Sequence, residues 1–234
     1  MKDIILCGYN WSGCKALQIL LKNKFNVYVY THKSNYYESD LISYCEEKKI
    51  NYTTEKISYK NLPFKPDLIV SISYKFKISE EVLNASTYKP FNLHPSLLPM
   101  YKGCSSVTWA IINGEKKIGF SYHYMTGKLD AGNIIFQKEI DIEDYDLQVT
   151  LYYRVMFISL MYLENVLKKV KNKYTGKKQI GKGTYYSRGA PFDGKINKNW
   201  SIKKINTFIR AMIFPPRPLA KIGNKFIKNK SEIK

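Results

Sequence analysis

Residues 67–73 read DLIVSIS, an almost unbroken apolar run between the charged segments on either side, and no other stretch constrains the fold as tightly. A strand with one wet face alternates apolar and polar side chains. A continuous run of this length is what a parallel strand shows when helices cover both of its faces. Two β-rich stretches come before it, at 4–7 and at 25–32 (FNVYVYTH), and a fourth strand is expected at 88–93. Helical patterns separate these strands at 12–22, with Ser12 as its N-cap, at 37–49 and at 79–84. Strand and helix alternate through the first hundred residues, which points to an α/β chain built on a doubly wound, mostly parallel sheet.

The rhythm then changes. A helix at 105–113 is closed by Gly114, and TGKLDAG joins two strands at 119–125 and 133–140. One long helix is expected over 146–171, then a Gly/Lys-rich linker at 172–183, a helix at 201–212, a Pro-rich turn (FPPRP) and a hairpin through Gly223 and Asn224. The expected division is a catalytic domain at 1–172 and a short C-terminal appendage at 173–234.

At 234 residues and 44% hydrophobic, the chain can bury a full core. Its most apolar stretch, VMFISLMYL at 155–163, falls far short of the roughly 18 residues that cross a bilayer. The N-terminus, MKDIILCGYN, reads as a first strand rather than a signal peptide, so a cytoplasmic protein with no membrane partner is expected. Cys7, Cys14, Cys45 and Cys104 form no CxxC pair, and His32, His94 and His123 have no i, i+4 spacing; reduced thiols and no metal site are expected. The formal net charge of +19 has two readings: a polyanionic partner, or a bias toward Lys, Asn, Ile and Tyr that runs through the whole chain. The lysines are spread out, so nucleic acid is disfavoured as a partner. The four arginines, Arg154, Arg188, Arg210 and Arg217, are the more informative cations.

Ligands bind open α/β sheets at the carboxyl ends of the strands. GYNWSGCK, which follows the first strand, has the Gly-x4-Gly spacing of a P-loop but Cys14 where the lysine should be, so alone it marks only a strand-to-helix turn. FNLHPSLLPMY at 91–101 is more specific. It sets Asn92 and His94 two residues apart at a strand end, and Asp130 lies in the later GKLDAG turn. An amide donor, an imidazole and a carboxylate make the minimum set for acyl transfer to an amine: donors stabilise the oxyanion, the imidazole moves a proton and the carboxylate holds it. No serine or cysteine nucleophile is needed when the substrate brings the amine.

NLHPSLLPMYKG, followed about thirty residues on by LDAGNII, resembles the folate-dependent formyltransferases. The resemblance implies a Rossmann-like core, N10-formyltetrahydrofolate as formyl donor, and Asn92, His94 and Asp130 as catalytic residues. It further implies that Leu97, Leu98, Pro99 and Met100 form an apolar wall for the pterin, with contacts from Lys128, Leu129 and Gly132 in the TGKLDAG loop. The tail segment, with Arg188, Pro191, Asp193, Gly194 and Ile196, is similar to one found in methionyl-tRNA and sugar formyltransferases. The short remainder of the chain favours the sugar branch. The implied acceptor is a nucleotide-linked amino sugar, first dTDP-4-amino-4,6-dideoxyglucose, used in O-antigen and lipopolysaccharide synthesis. Trp11, Lys75, Thr150, Arg154, Ser187 and Arg188 are the implied substrate contacts. A methionyl-tRNA enzyme, a UDP-4-amino-arabinose enzyme and a non-catalytic folate or nucleotide binder stay open as alternatives, and a homodimer is possible.

Overall fold

The computed structural model describes residues 1–33 and 40–233. Seven strands form the main sheet: β1 (Asp3–Gly8), β2 (Asn26–Tyr30), β3 (Tyr52–Thr53), β4 (Leu68–Ile72), β5 (Phe91–His94) and, after the two-residue β6 (Lys102–Gly103), β7 (Lys117–Tyr124) and β8 (Ile134–Asp141). Their order is β3-β2-β1-β4-β5-β7-β8. The pairings from β3 through to β5 are parallel, and β5 runs antiparallel to β7. The chain winds outward from β1 in both directions, so the strand order reverses between β1 and β4. As their unbroken apolar runs require, Ile4, Ile5 and Leu6 of β1 and Leu68, Ile69 and Val70 of β4 are fully buried.

Helices α1 (Asn10–Lys22), α2 (Asp40–Glu47) and α3 (Glu80–Asn84) link these strands. The residues expected to start the second helix, 37–39, lie outside the described residues. On one face of the sheet, Ile5, Cys7, Tyr30 and Ile69 pack in a cluster with Val82 and Leu83 of α3. Ser79 caps α3, accepting from Val82 N at 3.4 Å. Ser12 does not cap α1; Tyr9 holds that position. Ser12 is buried and bonds Tyr9 O at 3.2 Å and Ser73 Oγ at 2.9 Å, tying the start of α1 to the end of β4. Gly13 serves close packing: a Cβ there would stand 2.7 Å from Leu41 Cδ2 and 3.2 Å from the Gly8 carbonyl carbon.

The remaining elements are α4 (Ser106–Ile112), α5 (Gln148–Met161), α6 (Leu163–Lys171), β9 (Tyr185–Tyr186), α7 (Ile202–Met212) and the hairpin β10 (Ala220–Ile222) with β11 (Lys225–Ile227). The single long helix expected over 146–171 is therefore two. The ladder breaks where Ser159 O accepts from the Tyr122 hydroxyl at 2.9 Å and from Tyr162 N at 3.0 Å, which replaces the i, i+4 bond with a tighter turn. The four cysteines are free; burial pushes the Cys14 thiol up to about 11 and the Cys45 thiol up to about 12. Among the described residues no helix is long and apolar enough to cross a membrane.

The contacts divide the chain into two compact units. The first comprises 1–94, 121–137 and 157–180, and the second 95–120, 138–156 and 181–234. Within the first, the supposed linker is pinned to the end of β8: Ile134 and Lys177 exchange backbone bonds of 2.8 Å each, and Asn133 Nδ2 donates to Thr175 O at 3.0 Å. Its Gly/Lys-rich composition looks like free chain because its partners lie about forty residues away. Within the second, α4 packs on α7, and Tyr101, Tyr186, Trp109, Phe192 and Trp200 form a continuous series of ring contacts around the tail motif.

Candidate active site

The candidate catalytic side chains all belong to the first unit. Residues directly opposite each other on paired strands face the same side, and β5 against β7 sets Asn92 opposite His123 and His94 opposite Ser121. The period of two along β5 therefore puts Asn92, His94, His123 and Ser121 on one face. Asp130 reaches that face from the loop between β7 and β8. Its Oδ2 lies 3.7 Å from His94 Nδ1 and its Oδ1 lies 3.3 Å from His123 Nε2. All three side chains are buried, and Asn92 is half-buried.

His123 is a site residue that sequence reasoning missed. Its Nδ1 lies 2.9 Å from Tyr124 O, which can only accept, so Nδ1 carries the hydrogen. In the neutral ring Nε2 is then an acceptor, and Asn92 Nδ2 sits 3.2 Å from it. With the ring neutral, one Asn92 N–H points to His123 and the other is available to a ligand oxygen; a protonated ring would instead donate from Nε2 to Asp130 Oδ1, 3.3 Å away. At 3.7 Å the contact from Asp130 to His94 is longer than a hydrogen bond, and it is an ion pair when the ring is protonated. A buried carboxylate thus faces two imidazoles next to an oriented amide donor. Such a set can stabilise a developing oxyanion and carry a proton without a protein nucleophile.

Around Asp130 in the same unit, Lys128 and Leu129 are exposed, Leu129 at 48%, and Gly132 is buried. A Cβ on Gly132 would run into Tyr124 O, so this position tolerates no side chain. In the second unit, Leu97 and Pro99 are half-buried and Met100 is exposed, whereas Leu98 is buried at 3% and belongs to the core rather than to an apolar wall.

The expected substrate residues divide. Trp11 stacks on Phe157 with ring centroids 6.4 Å apart, and Lys75 lies over the Phe76 ring at 4.8 Å. Ser187 and Arg188 are exposed. Thr150 is engaged locally, with Oγ1 bonding both N and O of Leu147 at 3.0 Å. Arg154 is not a diphosphate ligand in waiting. It holds Asp146 with two bonds of 2.9 and 2.6 Å and donates to Asp141 O at 2.8 Å. Its charge is met by a carboxylate only 1% exposed. Among the described residues no group of three or more His, Cys, Asp or Glu is placed to hold a metal ion.

Comparison with known proteins gives the family. The family model described as formyl transferase matches residues 12–167. GDP-perosamine N-formyltransferase of Brucella melitensis is 39% identical over 197 residues, covering 82% of this chain and 76% of that protein. The bifunctional polymyxin resistance protein ArnA of Wigglesworthia glossinidia brevipalpis is 34% identical over 226 residues, covering 91% of this chain and 35% of its own length. Among solved structures, an N-formyltransferase from Helicobacter canadensis in complex with folinic acid and dTDP-3-aminofucose superposes with a TM-score of 0.80 at 26% identity, covering 98% of this chain and 87% of that one. With the family model spanning more than half of its length and a relative 39% identical covering 82% of it, the chain belongs to the formyl transferase family.

Proposed function

We propose that this protein transfers a formyl group from N10-formyltetrahydrofolate to the amine of a nucleotide-linked 4-amino-4,6-dideoxyhexose, with GDP-perosamine as the first acceptor to test and bacterial O-antigen or lipopolysaccharide synthesis as the setting. The observation that carries the reading is the buried Asp130 carboxylate between His94 and His123, beside the oriented amide of Asn92. That set is matched to acyl transfer onto an amine, and it stands in a chain 39% identical to a GDP-perosamine N-formyltransferase. The dTDP-4-amino-4,6-dideoxyglucose expected from the sequence is the second acceptor, supported by the dTDP sugar in the Helicobacter canadensis structure.

The neutral sugar amine attacks the formyl carbon. A new C–N bond forms, the bond from the formyl carbon to N10 of the donor breaks, and the proton lost by the amine replaces the formyl group on N10. Asn92 offers its second N–H, and His94 its Nε2 side, to the oxygen that becomes negative in the tetrahedral intermediate. Asp130 holds His94 through Nδ1, balances the positive charge of a protonated imidazole and takes up the amine proton in transit. Trp11 and Lys75 are the proposed contacts to the nucleotide sugar. Arg154 and Thr150 are left out because their bonds are made within the protein.

Mass spectrometry on a panel of GDP-perosamine, dTDP-4-amino-4,6-dideoxyglucose, dTDP-3-aminofucose, UDP-4-amino-arabinose and methionyl-tRNA, each with N10-formyltetrahydrofolate, tests the reading. The expected result is one added formyl group, with the highest kcat/KM on GDP-perosamine. Formylation of the tRNA alone, or of none of the sugars, would overturn it.

A further inference from the structure

Asp130 presents its carboxylate from a backbone conformation that a non-glycine residue adopts at a cost. Its φ is 49°, in the left-handed region, which disfavours L-residues. A turn of this kind relaxes unless something holds it. The bond from Tyr124 N to Asn133 O at 2.9 Å closes the loop further along but does not touch residue 130. Gln179 does. Its Nε2 donates to Asp130 O at 2.8 Å and to Gly132 O at 2.9 Å, so one amide group bridges the two carbonyls on either side of Ala131.

Two features mark this contact as a clamp. First, the amide cannot be turned round, because two carbonyl oxygens require two hydrogens, and only the NH2 end supplies them. That orientation leaves Gln179 Oε1 buried and without a hydrogen bond, a costly state that a side chain free to satisfy itself would avoid. Second, Gln179 is itself held in place: two residues earlier, Lys177 exchanges both backbone bonds with Ile134 at the start of β8. Gly176, with φ 75°, allows the approach, since a Cβ there would stand 2.9 Å from Asn133 Cβ and 3.0 Å from Ile134 O. The 174–179 segment is thus a strap laid across the turn that carries Asp130.

We propose that Gln179 is a positioning residue for the transfer reaction. By bridging the carbonyls of Asp130 and Gly132 it keeps the Asp130 turn left-handed and its carboxylate between His94 and His123. The inference rests on the reading of Asp130 as part of the transfer site. Gln179 touches no reacting atom in this scheme and acts only through Asp130.

The test uses Gln179→Leu and the unbranched, near-isosteric Gln179→Met, so that one folding failure does not end it, together with Asp130→Asn and the Asp130→Asn/Gln179→Met double variant. Kinetics with GDP-perosamine and N10-formyltetrahydrofolate should show kcat reduced about 10- to 100-fold in each Gln179 variant with KM changed less than about 3-fold, the loss that misplacing a catalytic group by about 1 Å produces. In the Asp130→Asn background the same Gln179 change should cost less than about 2-fold, because both changes disable one unit. A role confined to stability would instead lower the melting temperature and leave kcat per folded molecule untouched. If Asp130→Asn abolishes turnover while both Gln179 variants keep wild-type kcat, the inference falls and the transfer reading stands. If Asp130→Asn turns over normally, the transfer reading itself falls. Should the wild type formylate none of the sugars, the crystal structure of the Gln179→Met variant decides: Asp130 leaving the left-handed region supports the clamp, and an unmoved turn overturns it.

Discussion

Two buried carboxylates in this molecule look alike in the sequence and differ in the structure. Asp146, in the second unit, accepts from Glu143 N at 2.7 Å and from both arms of Arg154, and Arg210 bonds the carbonyls of Glu143, Asp144 and Asp146 around it. Asp130, in the first unit, faces two imidazoles at 3.3 and 3.7 Å. The guanidinium at Asp146 never gives up its proton, so that arrangement can only fix a loop to a helix. The rings at Asp130 can gain and lose a proton, and they stand beside an amide donor that is already oriented. Burial of a charge therefore does not distinguish structure from chemistry; the ability of its partners to exchange a proton does.

The contrast can be broken by mutation, and the largest effect belongs to the imidazole cluster. Asn92→Ala and His94→Ala should each lower kcat by about 100- to 1000-fold, as removal of one oxyanion donor does, with donor binding retained by equilibrium fluorescence titration. Near-normal turnover in either would show that the cluster is structural after all. At the guanidinium cluster, Arg154→Met strands the Asp146 carboxylate, which is 1% exposed. The expected loss is about 3 kcal/mol of unfolding free energy by urea titration, the low end for breaking a buried pair because Arg154 itself is 32% exposed, with kcat of the folded protein unchanged. His123→Leu sharpens the comparison from inside the imidazole cluster. It removes the acceptor that orients Asn92, so a fall in kcat of about 5- to 10-fold, the worth of one hydrogen bond, is expected with KM unaltered.

What can be read in the sequence follows the same division. The parallel core is legible because a strand covered on both faces needs an unbroken apolar run, and 67–73 supplies one. Asn92, His94 and Asp130 are legible because two short motifs carry them. His123 stands in plain view, seven residues before Asp130, yet its value depends on lying opposite Asn92 across β5 and β7, and strand register is not written in either strand alone. Arg154 reads as a free cation because its carboxylate partner lies eight residues back, before the helix begins, outside the i, i+4 spacing that signals a pair. The strap at 174–179 reads as linker because its hydrogen bonds run to a distant strand while its composition is Gly/Lys-rich. The break at Tyr162 has no Pro or Gly to announce it; a hydroxyl from β7 competes for the Ser159 carbonyl.

The most direct test of the central claim is to measure kcat and urea stability side by side for His94→Ala and Arg154→Met, with GDP-perosamine and N10-formyltetrahydrofolate as substrates. A crossed result is predicted: His94→Ala loses about 100-fold or more in kcat and keeps its stability, while Arg154→Met loses stability and keeps its kcat. If Arg154→Met instead abolished turnover in a stable protein while His94→Ala stayed active, the chemistry would lie at the guanidinium cluster and the role given to Asp130 would be wrong.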